Sequence, residues 1–203
     1  AALLKAGDVA VSPAAMPAPA SGGAIDPTAL AQCFAASLPA NAIVCDESNT
    51  AGLFCYDVAA ACPPHDWLTL TGGSIGQGLP LATGAAIACP ERRVVALEAD
   101  GSALYTIQAL WTQAREGLSV TNVILNNGAY AILRLEMIRA GVNQLSEAAN
   151  ALFDLKRPAI DFCSIARGFG VPAERVETPA ALTAALTRSY ASPGPALIEV
   201  MIR

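Results

Sequence analysis

The feature that most restricts the fold is a pair of short, mainly apolar runs, Val94 to Leu97 and Val120 to Leu125, each ending in a loop of small polar residues. Near-continuous runs of this length mark strands covered on both faces, as in a parallel sheet flanked by helices. The first run leads into Glu98-Ala99-Asp100-Gly101-Ser102, the second into Asn126-Asn127-Gly128-Ala129-Tyr130. Asp100 and Asn127 stand 27 positions apart, room for a strand, helix, strand unit. A right-handed parallel crossover of that size sets the two loop tips side by side at the carboxyl edge of the sheet, where open α/β sheets bind ligands.

The rest of the chain repeats the alternation and predicts an α/β fold: three layers, a mostly parallel sheet with helices on both faces. Asp26-Pro27 opens a helix, a capping acid followed by proline at the first helical position. That helix runs to Ala40 and leads into a strand at Ala42 to Cys45. Further strands are expected at Leu68 to Leu70 and Ala196 to Met201, and helices at Gly76 to Ala88, Ala103 to Glu116, Asp161 to Phe169 and Pro179 to Tyr190. Gly141 to Arg157 has weak periodicity and reads as a mobile loop with one short helix. Trp67 and Trp111 are expected in the core, Trp111 on a buried stripe with Ile107. Residues 1–24, rich in Ala, Pro, Ser and Gly, read as a linker before a domain over 25–203. The absence of an initiator methionine suggests a fragment of a longer protein, or a processed or engineered product.

Composition removes several classes of function. A net charge of −5 supplies no basic stripe for nucleic acid or for an anionic membrane surface. The most apolar stretch, Leu79 to Cys89, is broken by Pro80, Thr83 and Gly84 and falls short of the roughly 20 residues that span a bilayer. Six cysteines occur without a C-x-x-C pair, so they read as reduced thiols in a soluble, cytoplasmic protein. His65, the only histidine, follows Pro63-Pro64 and reads as a loop residue. Arg115 and Glu116 read as a solvated helix end.

Asp100 and Asn127 carry the chemistry. A carboxylate, an amide oxygen and a nearby backbone carbonyl form a hard-oxygen site suited to Mg²⁺, which keeps its other octahedral positions for water and phosphate oxygens. Taken singly, Asp100-Gly101-Ser102 is an ordinary helix cap and Asn126-Asn127-Gly128 an ordinary turn. It is their joint occurrence on consecutive strand ends that points to a ligand site.

The stretch Glu98 to Ser102 followed by Asn126-Asn127-Gly128 resembles the thiamine-diphosphate fingerprint, Gly-Asp-Gly followed after about 25 residues by Asn-Asn. The resemblance runs from about Ile25 to Arg203, to the C-terminal diphosphate-binding domain of the acetolactate synthase, benzoylformate decarboxylase and pyruvate decarboxylase group. It implies that Asp100, the Asn127 side chain and the Ala129 carbonyl ligate Mg²⁺, and that Gly101, Ser102, Tyr130 and Ala131 border thiamine diphosphate. The run Gly72-Gly73-Ser74-Ile75-Gly76-Gln77-Gly78 also matches. There the resemblance implies that the Gly73 carbonyl meets the aminopyrimidine, with Ser74 beside it, and that Ile75 wedges beneath the thiazolium. Asn49 and Thr50 fall in register with a further diphosphate-contact loop.

Two departures stand out. Ala99 replaces the first glycine of the fingerprint, which requires a negative φ at that residue. The continuation Gly128-Ala129-Tyr130-Ala131-Ile132-Leu133-Arg134 is closer to benzoylformate decarboxylase than to biosynthetic acetolactate synthases. The resemblance implies a 2-oxo acid decarboxylase or carboligase whose activating glutamate lies on a separate N-terminal domain, usually of a neighbouring subunit in a homo-oligomer. Catalytic residues are therefore not expected in this chain, which alone should be silent. The alternatives are a flavodoxin-like phosphate- or nucleotide-binding module, recognisable by metal-independent binding, and a regulatory pseudo-enzyme.

Overall fold

The computed structural model describes residues 17–142 and 144–203, so most of the segment read as a linker lies outside the described residues. The strands are β1 (Ile43–Glu47), β2 (Asp66–Thr69), β3 (Val94–Ala99), β4 (Val120–Asn126), β5 (Ala173–Val176) and β6 (Ala196–Met201). They form one sheet in the order β2-β1-β3-β4-β6-β5, every neighbouring pair parallel. β3 and β4 lie at its centre, and every residue of β4 is buried. The expectation of a mostly parallel sheet is met by one that is parallel throughout.

One face is covered by α1 (Pro27–Ser37), α2 (Cys55–Ala59) and α9 (Pro179–Ala191), with Leu30, Phe34, Leu182 and Leu186 packed on Val95, Leu97, Val123 and Leu125. The other carries α3 (Gly78–Ala88), α4 (Asp100–Thr106), α5 (Ala109–Glu116) and α8 (Phe162–Gly168), with Leu79, Leu110 and Phe162 on Val94, Ala96 and Ile124. Helix starts follow the capping chemistry in the sequence: Asp26, Asp161 and Thr178 each accept a hydrogen bond from a first-turn amide, satisfying a donor that has no partner within the helix. Gly117 ends α5 in the left-handed region at φ 62°, a conformation glycine adopts at no steric cost. Gln113, fully buried, bonds Thr83 of α3 and Asn122 of β4 and ties three elements together.

The segment expected as one helix from Ala103 to Glu116 is two. α4 starts at Asp100, and the chain tightens at Ile107 and Gln108, whose carbonyls accept from the amides of Leu110 and Trp111. The break shifts the buried stripe of α5 to Leu110 and Gln113. Trp111 therefore stands half exposed with the Arg115 guanidinium stacked over its ring at 5.1 Å, outside the core expected for it. Trp67 does meet the core, edge-on to Phe34. Arg115 and Glu116 form an exposed ion pair, and His65 lies in a loop with Nδ1 against the Pro63 carbonyl.

Three elements had no expectation. α2 is only five residues long, and α6 (Ala131–Arg139) buries none of its residues. β5 is an edge strand whose Glu174 and Arg175 give it no apolar run. Within Gly141 to Arg157 the expected short helix is α7 (Glu147–Leu152), capped by Ser146. All six cysteines are free. Among the described residues, no helix is long and apolar enough to cross a membrane.

Candidate functional site

β3 and β4 pair in register as far as Ala99 and Leu125, so the loops that follow them leave the sheet side by side. Ala99 has φ −75°, which accommodates its methyl group. The Asp100 carboxylate joins the loops: Oδ1 accepts from the Gly101 amide at 2.8 Å and Oδ2 from the Gly128 amide at 2.7 Å. Burial pushes the Asp100 carboxyl up from the ordinary range, and the amides of Gly128, Gly101, Asn127 and Ala129 pull it back down. Asn127 Oδ1 accepts from the Ala129 amide at 2.9 Å, which folds the amide oxygen back over the same turn. Gly128 holds φ +69°, the left-handed value this tight turn needs.

These loops floor a cleft of about 480 Å³, within the range of small-molecule sites. Asn49 and Thr50 line it from the β1 side, and Asn49 Nδ2 donates to Ser102 Oγ at 3.0 Å. Ile75, Asp100, Gly101, Ser102, Asn127, Ala129, Tyr130 and Ala131 complete the expected part of the lining. The structure thus brings together ten of the twelve residues named from sequence. Gly73 and Ser74 stand apart, exposed at and just after a 3-10 turn over Thr71–Gly73.

A buried carboxyl positions Ile75. Glu47, at the end of β1 and 2% exposed, accepts from the amides of Gly76 and Gly78, while the Gly76 carbonyl accepts from Thr106 Oγ1 at 2.8 Å. The glycine run is therefore pinned between β1 and α4. Glu98 pairs in register with Glu47 on the adjacent strand, and both its oxygens are buried without a hydrogen-bond partner among the described residues. Burial, then the neighbouring Glu47 and Asp46, push its carboxyl up to about 10. Neither glutamate was singled out from sequence. The available signal was a charged residue at the inward position of each of two apolar strands.

Tyr105, Ile132, Leu133, Leu152 and Phe153 also line the cleft and were not anticipated. Tyr105 sits one helical turn beyond Gly101 and Ser102, a spacing that can be read from sequence. Leu152 and Phe153 arrive through tertiary pairing: the Tyr130 amide donates to the Phe153 carbonyl at 3.0 Å and the Leu155 amide to the Gly128 carbonyl at 2.9 Å.

The donor set fits a hard divalent cation, since carboxylate, amide and carbonyl oxygens all keep lone pairs beyond those already engaged. In the first turn of α4, Gly101 lies under the Tyr130 ring, where an added Cβ would sit 2.5 Å from Cε1. Gly101→Ala is expected to lower stability by about 1–3 kcal/mol through overpacking. Tyr130→Ala in the same chain should recover most of the difference in denaturant melts. No recovery would show that the ring is not what excludes the methyl.

With this geometry established, comparison with known proteins places the chain in a family. Residues 50–200 match the family described as "Thiamine pyrophosphate enzyme, C-terminal TPP binding domain". The chain is 52% identical over 181 residues to a putative acetolactate synthase large subunit, IlvX, of Mycobacterium tuberculosis, covering 89% of this chain and 35% of that protein. It is 36% identical over 192 residues to a benzoylformate decarboxylase of Pseudomonas aeruginosa, covering 93% of this chain and 35% of that one. A solved thiamine diphosphate-dependent 4-hydroxybenzoylformate decarboxylase of Rhodococcus jostii RHA1 superposes with a TM-score of 0.77 at 33% identity, covering 92% of this chain and 34% of that one. The chain therefore spans about a third of the length of these relatives. They give no support to the alternative of a flavodoxin-like module. A parallel sheet with two wired loops at its carboxyl edge, matched over most of its length by one family, makes this chain a member of the thiamine pyrophosphate enzymes, corresponding to their C-terminal cofactor-binding domain.

Proposed function

We propose that the chain holds thiamine diphosphate through a Mg²⁺ ion ligated by the Asp100 carboxylate, the Asn127 side-chain oxygen and the Ala129 carbonyl. The protein it represents would be a decarboxylase or carboligase of 2-oxo acids. The observation that carries this reading is the 2.7 Å bond from the Gly128 amide to Asp100, which locks the two loops at the floor of one cleft. When bound, thiamine diphosphate would supply a nucleophilic carbon for the substrate carbonyl and a cationic ring able to take up the electron pair released with CO₂.

This chain's residues orient and shield. Asn49, Thr50, Gly101 and Ser102 border the diphosphate, and Ile75, pinned through Glu47, supports the rings from below, with Gly73 and Ser74 beside the aminopyrimidine. Tyr130, Ala131 and the apolar side chains of Leu133, Leu152 and Phe153 keep water from the reacting face. An apolar lining suits a 2-oxo acid with an aromatic or branched side chain, in keeping with the benzoylformate and 4-hydroxybenzoylformate decarboxylases among the relatives. The activating acid would come from an N-terminal domain of the parent protein across an oligomer interface, so residues 25–203 alone would bind cofactor without turning over. Six free cysteines suit a reducing, cytoplasmic setting.

Calorimetric titration of thiamine diphosphate tests the reading. Binding is expected with Mg²⁺ and should weaken by at least about 100-fold when EDTA removes it, as the diphosphate then meets an uncompensated carboxylate. Equal affinity with and without the metal would defeat the assignment.

A further inference from the structure

Behind the ion-binding turn lies a buried chain of polar contacts that the proposed chemistry does not use. Glu199, on β6, is fully buried and 73 residues away in sequence from Asn126, the first asparagine of the pair. Its Oε1 accepts from Asn126 Nδ2 at 2.7 Å, and its Oε2 accepts from Arg175 Nε at 3.0 Å. At the other end of the same amide, Asn126 Oδ1 accepts at 3.0 Å from the Gly128 amide, the donor that also reaches Asp100.

The chemistry of the groups fixes the direction of this chain. A carboxylate only accepts, so Glu199 compels Asn126 to turn its NH₂ inward and its oxygen toward Gly128. An Asn126 amide turned the other way would set a donor against the Gly128 N–H and leave that donor with Asp100 alone. Gly128 stands at φ +69° between the proposed ligands Asn127 and Ala129, so its amide sets the course of the turn that aims both. Arg175 occupies the second oxygen of Glu199 and offsets its charge, without which the buried carboxyl would be expensive to keep.

We propose that Glu199 is a positioning residue for the cation-binding turn, acting through the carboxamide of Asn126, with Arg175 as its counter-ion. The proposal rests on the reading of that turn as the Mg²⁺ and diphosphate site. Glu199 touches neither ion nor cofactor, and its effect is to hold one orientation of one amide.

Exchanging the two polar groups tests the direction of the chain. Glu199→Gln gives Arg175 and Asn126 two donors competing for one acceptor oxygen, and Asn126→Asp sets two carboxylates against each other. Combining them restores every bond and reverses only the one between positions 126 and 199: the Glu199→Gln amide accepts from Arg175 and donates to the Asn126→Asp carboxylate, which still accepts from Gly128. In the full chain, each single substitution is expected to raise the Mg²⁺ concentration for half-maximal thiamine diphosphate binding by at least about 10-fold. The double variant should return to within about threefold of the parent. Hydrogen exchange at the Gly128 amide, measured without ligand, should accelerate at least about 10-fold in Glu199→Gln, where the Asn126 amide is free to turn its NH₂ toward Gly128, and recover in the pair.

A merely structural role would lower melting temperatures while leaving the Mg²⁺ requirement and Gly128 exchange alone, and that result overturns the proposal. So does a double variant as impaired as its parents combined. Should the single variants fail to fold, Arg175→Met, at a side chain 43% exposed, still distinguishes the cases. It is expected to raise the Mg²⁺ requirement about threefold, and no change overturns the proposal. If the parent chain binds no thiamine diphosphate, the functional reading fails, while Gly128 exchange still decides whether Glu199 orders the turn.

Discussion

Asp100→Ala will lower Mg²⁺-dependent affinity for thiamine diphosphate by at least about 100-fold, close to 3 kcal/mol at 1.4 kcal/mol per decade. Asp100 is the only charged group in the proposed ligand set, so its loss leaves neutral oxygens that compete poorly with water for a hard cation. Gly128 keeps Asn126 Oδ1 and Ala129 keeps Asn127 Oδ1 as acceptors, while the Gly101 and Asn127 amides lose theirs, so the cost to the ligand-free fold is modest. Asp100→Asn keeps an oxygen in place and should fall between the two. Calorimetry at fixed Mg²⁺ separates these variants, and parental affinity in Asp100→Ala would remove Asp100 from the ligand set.

The second large effect is one of stability against pH, and it comes from Glu98. This carboxyl is 1% exposed, has no hydrogen-bond partner among the described residues and faces Glu47. Its value in the fold is raised, to about 10, by burial first and by Glu47 and Asp46 after it. In the unfolded chain it returns to the ordinary carboxyl range near 4.3. Between those values the folded protein holds one proton more than the unfolded chain, so its stability must fall as pH rises. The contribution is complete below the ordinary carboxyl range and is lost progressively toward the raised value, at between 1 and 2 kcal/mol per pH unit. Glu98→Gln, which is neutral throughout, should therefore gain on the parent by roughly 3 kcal/mol between about pH 6 and about pH 8 in urea melts. Parallel stability curves for the two proteins would show that Glu98 ionises in the fold.

Both predictions concern residues on the strand ends that were most legible in the sequence, yet they were legible to different degrees. Asp100 declared itself, because an acid between a buried run and Gly-Ser has few roles and Asn127 follows at the length of one crossover. Glu98 did not, because its meaning depends on Glu47 lying opposite in the next strand, and register is invisible in one strand alone. Trp111 shows the same limit in a helix. Its apolar spacing from Ile107 was sound for a continuous helix, and the break at Ile107 and Gln108 removed the premise. β5 was hidden because an edge strand needs no apolar run to pair through its backbone.

Local chemistry, read along the chain, determined the alternating α/β architecture, the helix cap at Asp26, and the two loop tips with their polar side chains. These depend on neighbours within a few residues, whose periodicity and capping energetics are fixed by covalent order. Only the tertiary structure decided which distant groups would meet: Glu47 with Gly76 and Gly78, Glu199 with Asn126, and Leu152 and Phe153 across the cleft. Those contacts join segments brought together by burial of the whole sheet, and burial is a property of the packed chain that no local stretch of it carries.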